Sequence, residues 1–165
     1  MILGIDPAPR DGSLGWALLH AERGEPAVWQ AGGTRPVAEA RALLAAHPAA
    51  TLAVETPSGY VWHYERGAAL LATAEIAGFL QGLAAAEGRI CVTPSAQDWR
   101  RVVVGRAAAT DDEVREAVRR HVRQLPTRTS VHVRDAAGCA LAVGWGWRPP
   151  ACQIRLPLSY PRRTG

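Results

Sequence analysis

Lysine is absent from this 165-residue chain, and all 19 of its basic residues are arginines. Four of those arginines follow Trp147 in a stretch without acidic residues, and they are Arg148, Arg155, Arg162 and Arg163. The part before them is formally neutral, so the net charge of +4 resides in a proline-rich C-terminal tail. Such a tail either contacts phosphate groups or is merely solvated, and the sequence leaves both interpretations open.

Cysteine is scarce as well. Cys91, Cys139 and Cys152 are odd in number and lack paired spacing, which argues against a disulfide framework and against a zinc site. No basic leader and no cleavage site precede Asp6, so we expect no secretory signal. The sequence therefore predicts a cytoplasmic protein with reduced thiols.

Internal repeats and low-complexity linkers are also missing. Apolar residues make up 48% of the chain, enough for a compact core in a protein of this length. We therefore predict one domain over residues 1–146 and a basic Pro/Arg-rich tail over 147–165.

Short apolar runs separated by turn residues alternate with segments of helical spacing. The predicted strands are residues 1–5, 14–19, 27–30, 51–54 and 89–93. The predicted helices are residues 37–46, 67–87, 95–101, 111–123 and 130–143. Thr110 followed by Glu113 forms a capping box for the fourth helix. The order predicts an α/β fold, a mixed five-stranded sheet made of a three-stranded antiparallel meander plus two parallel strands, with helices on both faces.

The helix predicted at 67–87 is apolar nearly all round, because Glu75 is the only charged residue between positions 68 and 86. Its length also permits a transmembrane span, but its alanine-rich composition, with two glycines, a glutamine and a glutamate, disfavours one. We expect one side to pack on the sheet and the other on a second subunit.

Acidic residues follow two of the predicted strands. Asp6 and Glu55 each come directly after an apolar run, and adjacent parallel strands would bring their ends together. His132 and Asp135 share one face of the last helix through their i, i+3 spacing. Three converging carboxylates repel one another unless cations compensate them. Two divalent ions would do so, and such a pair can catalyse attack of water on a phosphodiester.

Three of these four residues also have an ordinary interpretation, whereas Glu55, which precedes Thr56 and Pro57, is harder to dismiss. Asp6 before Pro7 is also typical of a turn, and a lone His132 is more often a helix-start or core histidine. Asp135 has a potential ion-pair partner in Arg134, although consecutive residues on a helix point apart. Only the combination of the four favours a metal site.

Four segments, in the correct order, resemble motifs of the RuvC Holliday junction resolvases of the RNase H-like superfamily. They are ILGIDP at 2–7, AVETP at 53–57, WRR through GR and TDDEV between 99 and 114, and HVRDAA at 132–137. Together they span about residues 1–146. Each motif is weak alone, but four in order are fairly specific.

The resemblance implies a homodimeric endonuclease that nicks four-way DNA junctions symmetrically with two Mg²⁺ or Mn²⁺ ions in each subunit. By matched position, Asp6 would bridge both ions, and Glu55, His132 and Asp135 would complete the ligand set. Many members carry aspartate at the position of His132, which leaves the choice of metal open. Lysines are usual after Gly105, where this chain has Arg106. We expect branched DNA and a second copy as partners, and neither a membrane nor a small-molecule cofactor.

Aromatic and basic residues near these motifs are candidates for DNA contact. Tyr60 and Trp62 follow Glu55 in an aromatic segment and would either stack on unpaired bases or cap the core. The candidate phosphate contacts, each also interpretable as an ordinary solvated arginine, are Arg66, Arg100, Arg101 and Arg106.

The other tryptophans are assigned structural roles. We expect Trp16, Trp29 and Trp99 in the core, and Trp145 and Trp147 as anchors of the tail.

Two other functions remain open. The chain could be an RNase H-like nuclease that acts on RNA or on branched DNA in general. It could also be a non-catalytic homologue that binds junctions without cutting them.

Overall fold

A computed structural model describes residues 1–8, 12–57 and 67–149. Its centre is a six-stranded mixed sheet with strand order β5-β4-β1-β2-β3-β6. The strands are β1 (Ile2–Ala8), β2 (Ser13–His20), β3 (Ala27–Pro36), β4 (Thr51–Val54), β5 (Cys91–Val92) and β6 (Val122–Arg123). The first three form an antiparallel meander, while β4 runs parallel to β1 and β5 parallel to β4. The predicted meander plus two parallel strands is confirmed.

The sixth strand was not predicted. The sequence predicted helix through position 123, but the helix ends at His121, and Val122–Arg123 pairs parallel with Ala27 and Val28 at the start of β3. Neither glycine nor proline separates the two elements, and the basic residues Arg119, Arg120 and His121 of the last turn are a weaker sign of the helix end. Pairing with an edge strand decides the conformation here.

Helices cover both faces of the sheet, as predicted. After a 3₁₀ turn at Val37–Glu39 come α1 (Ala40–Ala46), α2 (Gly67–Ala86), α3 (Ala96–Val103), α4 (Asp111–His121) and α5 (Val131–Gly144). Helices α1 and α2 share a core with Leu3 and Ile5 of β1, whereas α3, α4 and α5 pack together on the opposite face. The capping box predicted at Thr110 and Glu113 is present at the start of α4.

Strand β1 is longer than predicted, so Asp6 lies within the strand, opposite Gly15 of β2. Pairing with β4 stops at Ile5, whereas pairing with β2 continues to Ala8. Proline lacks a donor and is tolerated where a strand is paired on one side only, which explains why Pro7 does not end β1.

Two glycines let α5 lie directly on the sheet. A Cβ atom added at Gly4 of β1 would lie 2.0 Å from the carbonyl oxygen of Ala136, and one at Gly15 of β2 would lie 2.4 Å from the carbonyl carbon of His132. Both contacts are with backbone atoms of α5, which cannot rotate away as a side chain could. The absence of these two side chains therefore fixes how closely α5 approaches β1 and β2.

Helix α2 packs on the sheet through one side only. Ala77, Leu80 and Ala84 are buried, while Leu71 and Phe79 are 67% and 49% exposed. By length and composition, α2 is also apolar enough to cross a membrane.

The tryptophans predicted in the core are buried to different degrees. Trp99 is fully buried, and Trp16 and Trp29 are partly buried against the core. Trp145 and Trp147 also pack against the core, and the Trp145 indole donates to the carbonyl oxygen of Glu25 at 3.1 Å. Residues 150–165 of the predicted tail lie outside the described part of the chain.

The contact at Gly4 yields a prediction for stability. Gly4→Ala places a methyl group against the α5 backbone and is expected to lower the free energy of unfolding by about 1–3 kcal/mol or more, the usual cost of overpacking. Gly33→Ala is the control, since a Cβ there meets nothing nearer than 3.6 Å. Chemical denaturation measures both variants, and an equal effect of the two substitutions would contradict the close approach of α5.

Candidate active site

Strand alternation places two acidic residues on the face that α5 covers. Leu3 and Ile5 of β1 point to the α1 and α2 side, so Asp6 points to the other side, toward α5. On β4, Leu52 and Val54 occupy the α1 and α2 side, and Glu55 follows in the opposite direction. The backbone N–H of Glu55 donates to the carbonyl oxygen of Ile5 at 2.8 Å, which holds the two residues side by side.

Helix α5 brings the other two predicted residues to the same place. The Ser130 side chain caps the helix by accepting from the backbone N–H of Val133. His132 is the second residue of α5, and its Nδ1 is 2.7 Å from Oδ2 of Asp6. Asp135 follows one turn later and is 8% exposed, similar to Asp6 at 7%.

The acidic side chains of the site repel one another when they are ionised. Burial raises the pKa of Asp6 to about 8, with a further contribution from the charge of Asp135. Burial also raises the pKa of Glu55 to about 8, and the charges of Asp6 and Asp135 add to the effect. These influences show that the three carboxyl groups interact across one site.

Two arginines contact the third carboxylate. Arg134 Nε donates to Oδ1 of Asp135 at 3.3 Å, and a terminal nitrogen of Arg100 lies 3.5 Å from Oδ2. The ion pair between Arg134 and Asp135, which the sequence left open, is therefore present, because the long arginine side chain folds back to its neighbour. Both arginines lower the pKa of Asp135, but burial outweighs them and the net shift is upward.

Glu55 has a different partner. The indole N–H of Trp99 in α3 donates to its Oε2 at 2.7 Å. The sequence predicted Trp99 as a core residue only, and the hydrogen bond to a site residue 44 positions away was missed. No local pattern signals it, because α3 meets β4 only in the folded chain.

The donor set fits a divalent cation. Carboxylate oxygens suit Mg²⁺, and an imidazole adds a ligand that Mn²⁺ accepts. Burial raises the pKa of Asp6 and Glu55, and a bound cation would favour their ionised forms. Within the described ranges, no three His, Cys, Asp or Glu side chains already stand in the arrangement of a metal cluster. Ligation would therefore require these side chains to move closer together than they lie here.

The predicted DNA-contacting residues have different positions. Arg100 is half-buried, contacting Asp135 and lying over the ring of Trp99 at 5.3 Å. Arg101 is exposed and lies 3.7 Å from Asp98, and Arg106 is paired with Glu113. The structure places Arg100 at the site and the other two on the surface. The remaining candidates, Tyr60, Trp62 and Arg66, lie outside the described residues.

Solved structures of other proteins share the fold that positions these groups. RuvC of Thermus thermophilus superposes with a TM-score of 0.66 at 20% identity, covering 87% of this chain and 93% of that one. The chain has the RuvC fold. The T. thermophilus RuvC solved in complex with Holliday junction substrate gives 0.69 at 19% identity, covering 87% and 92%. The yeast mitochondrial Holliday junction resolvase gives 0.53 at 12% identity, covering 87% and 76%.

Sequence comparison adds nothing to this likeness. No family model and no curated protein matches the chain. The resemblance to RuvC predicted from the sequence is confirmed by structure, as a likeness of fold.

The unequal pairing of the carboxylates yields a prediction for the metal-free protein. Asp135→Asn leaves two arginines without their carboxylate partner and is expected to lower the free energy of unfolding by about 3 kcal/mol, as breaking a buried ion pair does. Glu55→Gln removes a carboxyl group that has no arginine partner among the described residues and keeps an acceptor for Trp99. Its effect is expected to stay within about 1 kcal/mol, the net worth of an ordinary hydrogen bond.

Denaturant titrations in a chelating buffer compare the two variants. If Glu55→Gln were the more destabilising substitution, the assignment of the arginine pairs to Asp135 would be wrong.

Proposed function

We propose that this chain is a divalent-metal-dependent endonuclease that resolves four-way DNA junctions. The observation that carries the proposal is the convergence of Asp6, Glu55 and Asp135 on one face of the sheet, with the pKa of Asp6 and of Glu55 raised to about 8. The fold adds support, since the solved structures that share it include Holliday junction resolvases. One of these was solved with a Holliday junction substrate.

The four residues have separate tasks in this proposal. Asp6, Glu55 and Asp135 provide oxygen ligands for two Mg²⁺ or Mn²⁺ ions. His132 orients Asp6 through Nδ1, which leaves Nε2 as the ring nitrogen whose lone pair can serve as a ligand when Nδ1 carries the proton. The bound ions would supply an activated water and stabilisation of the leaving oxygen in phosphodiester hydrolysis.

Arg100 and Arg134 hold Asp135 in the metal-free state. Arg100 is less buried than Arg134, so it is the better placed of the two to turn from Asp135 to a phosphate oxygen of the DNA. Its planar guanidinium suits such a contact.

Asp6→Asn tests the reaction. It removes a proposed ligand and is expected to reduce cleavage of a four-way junction by more than about 100-fold, beyond the loss typical for an outer-sphere partner. Junction binding should persist, since less negative charge then faces the phosphates. Glu116→Gln is the control, because Glu116 is exposed and pairs with Arg120 on α4.

The substrates are a four-way junction, a fork, a duplex and an RNA–DNA hybrid, each assayed with Mg²⁺ and with Mn²⁺. Equal cleavage of all four would replace the junction-specific proposal by a general RNase H-like nuclease. Binding without cleavage in either metal would identify a non-catalytic junction-binding protein.

We also propose that the chain is a homodimer through the outer side of α2, where Leu71 and Phe79 are exposed. A two-fold dimer would present two identical sites to the two equivalent strands of a junction. Dimerisation would remove this apolar surface from water, which is favourable.

Phe79→Glu tests the interface. A charge in the middle of the α2 surface is expected to shift the protein from dimer to monomer in sedimentation analysis. Val102→Glu is the control, since Val102 is an exposed apolar residue on α3. A Phe79→Glu protein that remains dimeric would exclude this surface as the interface.

A further inference from the structure

The buried Trp99 donates a hydrogen bond from its indole N–H to a predicted site residue. It is the largest of the fully buried side chains in the described part of the chain. A buried indole N–H needs an acceptor, and here the acceptor is Oε2 of Glu55 at 2.7 Å. A purely apolar core position would not require an acidic partner, and the core could have used phenylalanine or leucine there.

The ring is held in place from two directions. A Cβ atom at Gly138 of α5 would lie 2.6 Å from Cζ3 of Trp99, so the ring fits against the helix only because this position is glycine. The guanidinium of Arg100 lies over the ring, 5.3 Å from its centroid. Trp99 therefore has little freedom to rotate, and its N–H points in a fixed direction.

Glu55 depends on this contact for its orientation. A glutamate side chain has three rotatable bonds, and in the described residues the Trp99 indole is the only side-chain group that donates to it. The hydrogen bond occupies Oε2 and leaves Oε1 with its lone pairs. An oriented oxygen on a buried carboxylate is what ligation of a cation requires.

We propose that Trp99 is a positioning residue that holds the Glu55 carboxylate, by its indole N–H, in the orientation that binds the metal ion. The inference rests on the proposed function, since it assigns a role toward the same metal. It differs from a packing role because it predicts an effect on metal affinity separate from the effect on folding.

Trp99→Phe is the test variant, since it retains an apolar ring and removes the donor. Trp145→Phe is the matched control, because it also removes one indole hydrogen bond, the one to Glu25 on the far side of the core. Both full-length proteins are heated over a series of MnCl₂ concentrations, and the concentration that gives half of the maximal thermal stabilisation is measured. Cleavage of a four-way junction is measured in parallel.

Trp99→Phe is expected to raise the half-saturating Mn²⁺ concentration by about 10–100-fold, the range typical for loss of an outer-sphere partner. At sub-saturating metal, kcat should fall while KM for the junction stays unchanged. Trp145→Phe should leave these values at the wild-type level. If Trp99→Phe melts at a lower temperature but keeps the wild-type half-saturation, Trp99 only packs and the inference is overturned.

A failure of the proposed function gives a different result. A wild-type chain that neither responds to Mn²⁺ nor cuts the junction would remove the metal site itself. A wild-type chain that does both, next to an equally active Trp99→Phe variant, would remove the role of Trp99 alone.

An NMR measurement on the wild-type chain does not depend on the folding of any variant. The Trp99 indole N–H signal is assigned through its connection to the ring and backbone signals of Trp99 and is followed during titration with MgCl₂. We expect it to shift as Mg²⁺ binds, because its acceptor becomes a ligand, while the Trp145 signal stays in place. A Trp99 signal that is insensitive to saturating Mg²⁺ would overturn the inference.

Discussion

The close approach of α5 to β1 and β2 is the constraint on which the rest of the site depends. Gly4 and Gly15 leave no Cβ atoms between the strands and the helix backbone. Because the helix lies so close, His132 reaches Asp6 directly, and Asp135 stands one turn further along the same face. A side chain at either glycine would push α5 outward and separate the acidic groups. Fold stability and site geometry therefore rest on the same contact.

Burial of several acids in one place is electrostatically costly, and the structure compensates them unequally. Asp135 has two arginine partners, whereas Glu55 has one neutral donor and Asp6 has an imidazole. Burial, together with the charges of neighbouring carboxylates, raises the pKa of Asp6 and of Glu55 to about 8. Burial of the apolar residues on both faces of the sheet offsets the free-energy cost of burying these acids. Buried, poorly compensated charges are typical of sites that bind a ligand of opposite charge.

Much of the fold could be predicted because its signals are local. Short apolar runs bounded by turn residues located the first five strands, although β3 (Ala27–Pro36) extends six residues beyond the predicted 27–30. The Thr110 capping box located the start of α4. Errors occurred where a distant partner decides the conformation. β1 continues through Pro7 because β2 is still paired with it, and Val122–Arg123 leaves the helix to pair with β3. The pairing of Arg134 with Asp135, which the sequence left open, is present because the long arginine side chain folds back to its neighbour.

Residue type and spacing along the chain are enough to predict the order of the elements, the candidate site residues Asp6, Glu55, His132 and Asp135, and the likeness to the RuvC fold. Which groups contact those four residues depends on the tertiary structure. Trp99 and Glu55 are 44 residues apart, and Arg100 and Asp135 are 35 apart. Contacts over such separations exist only once α3 and α5 pack against the sheet, because periodicity in the chain indicates which face a side chain occupies but not which distant group it meets.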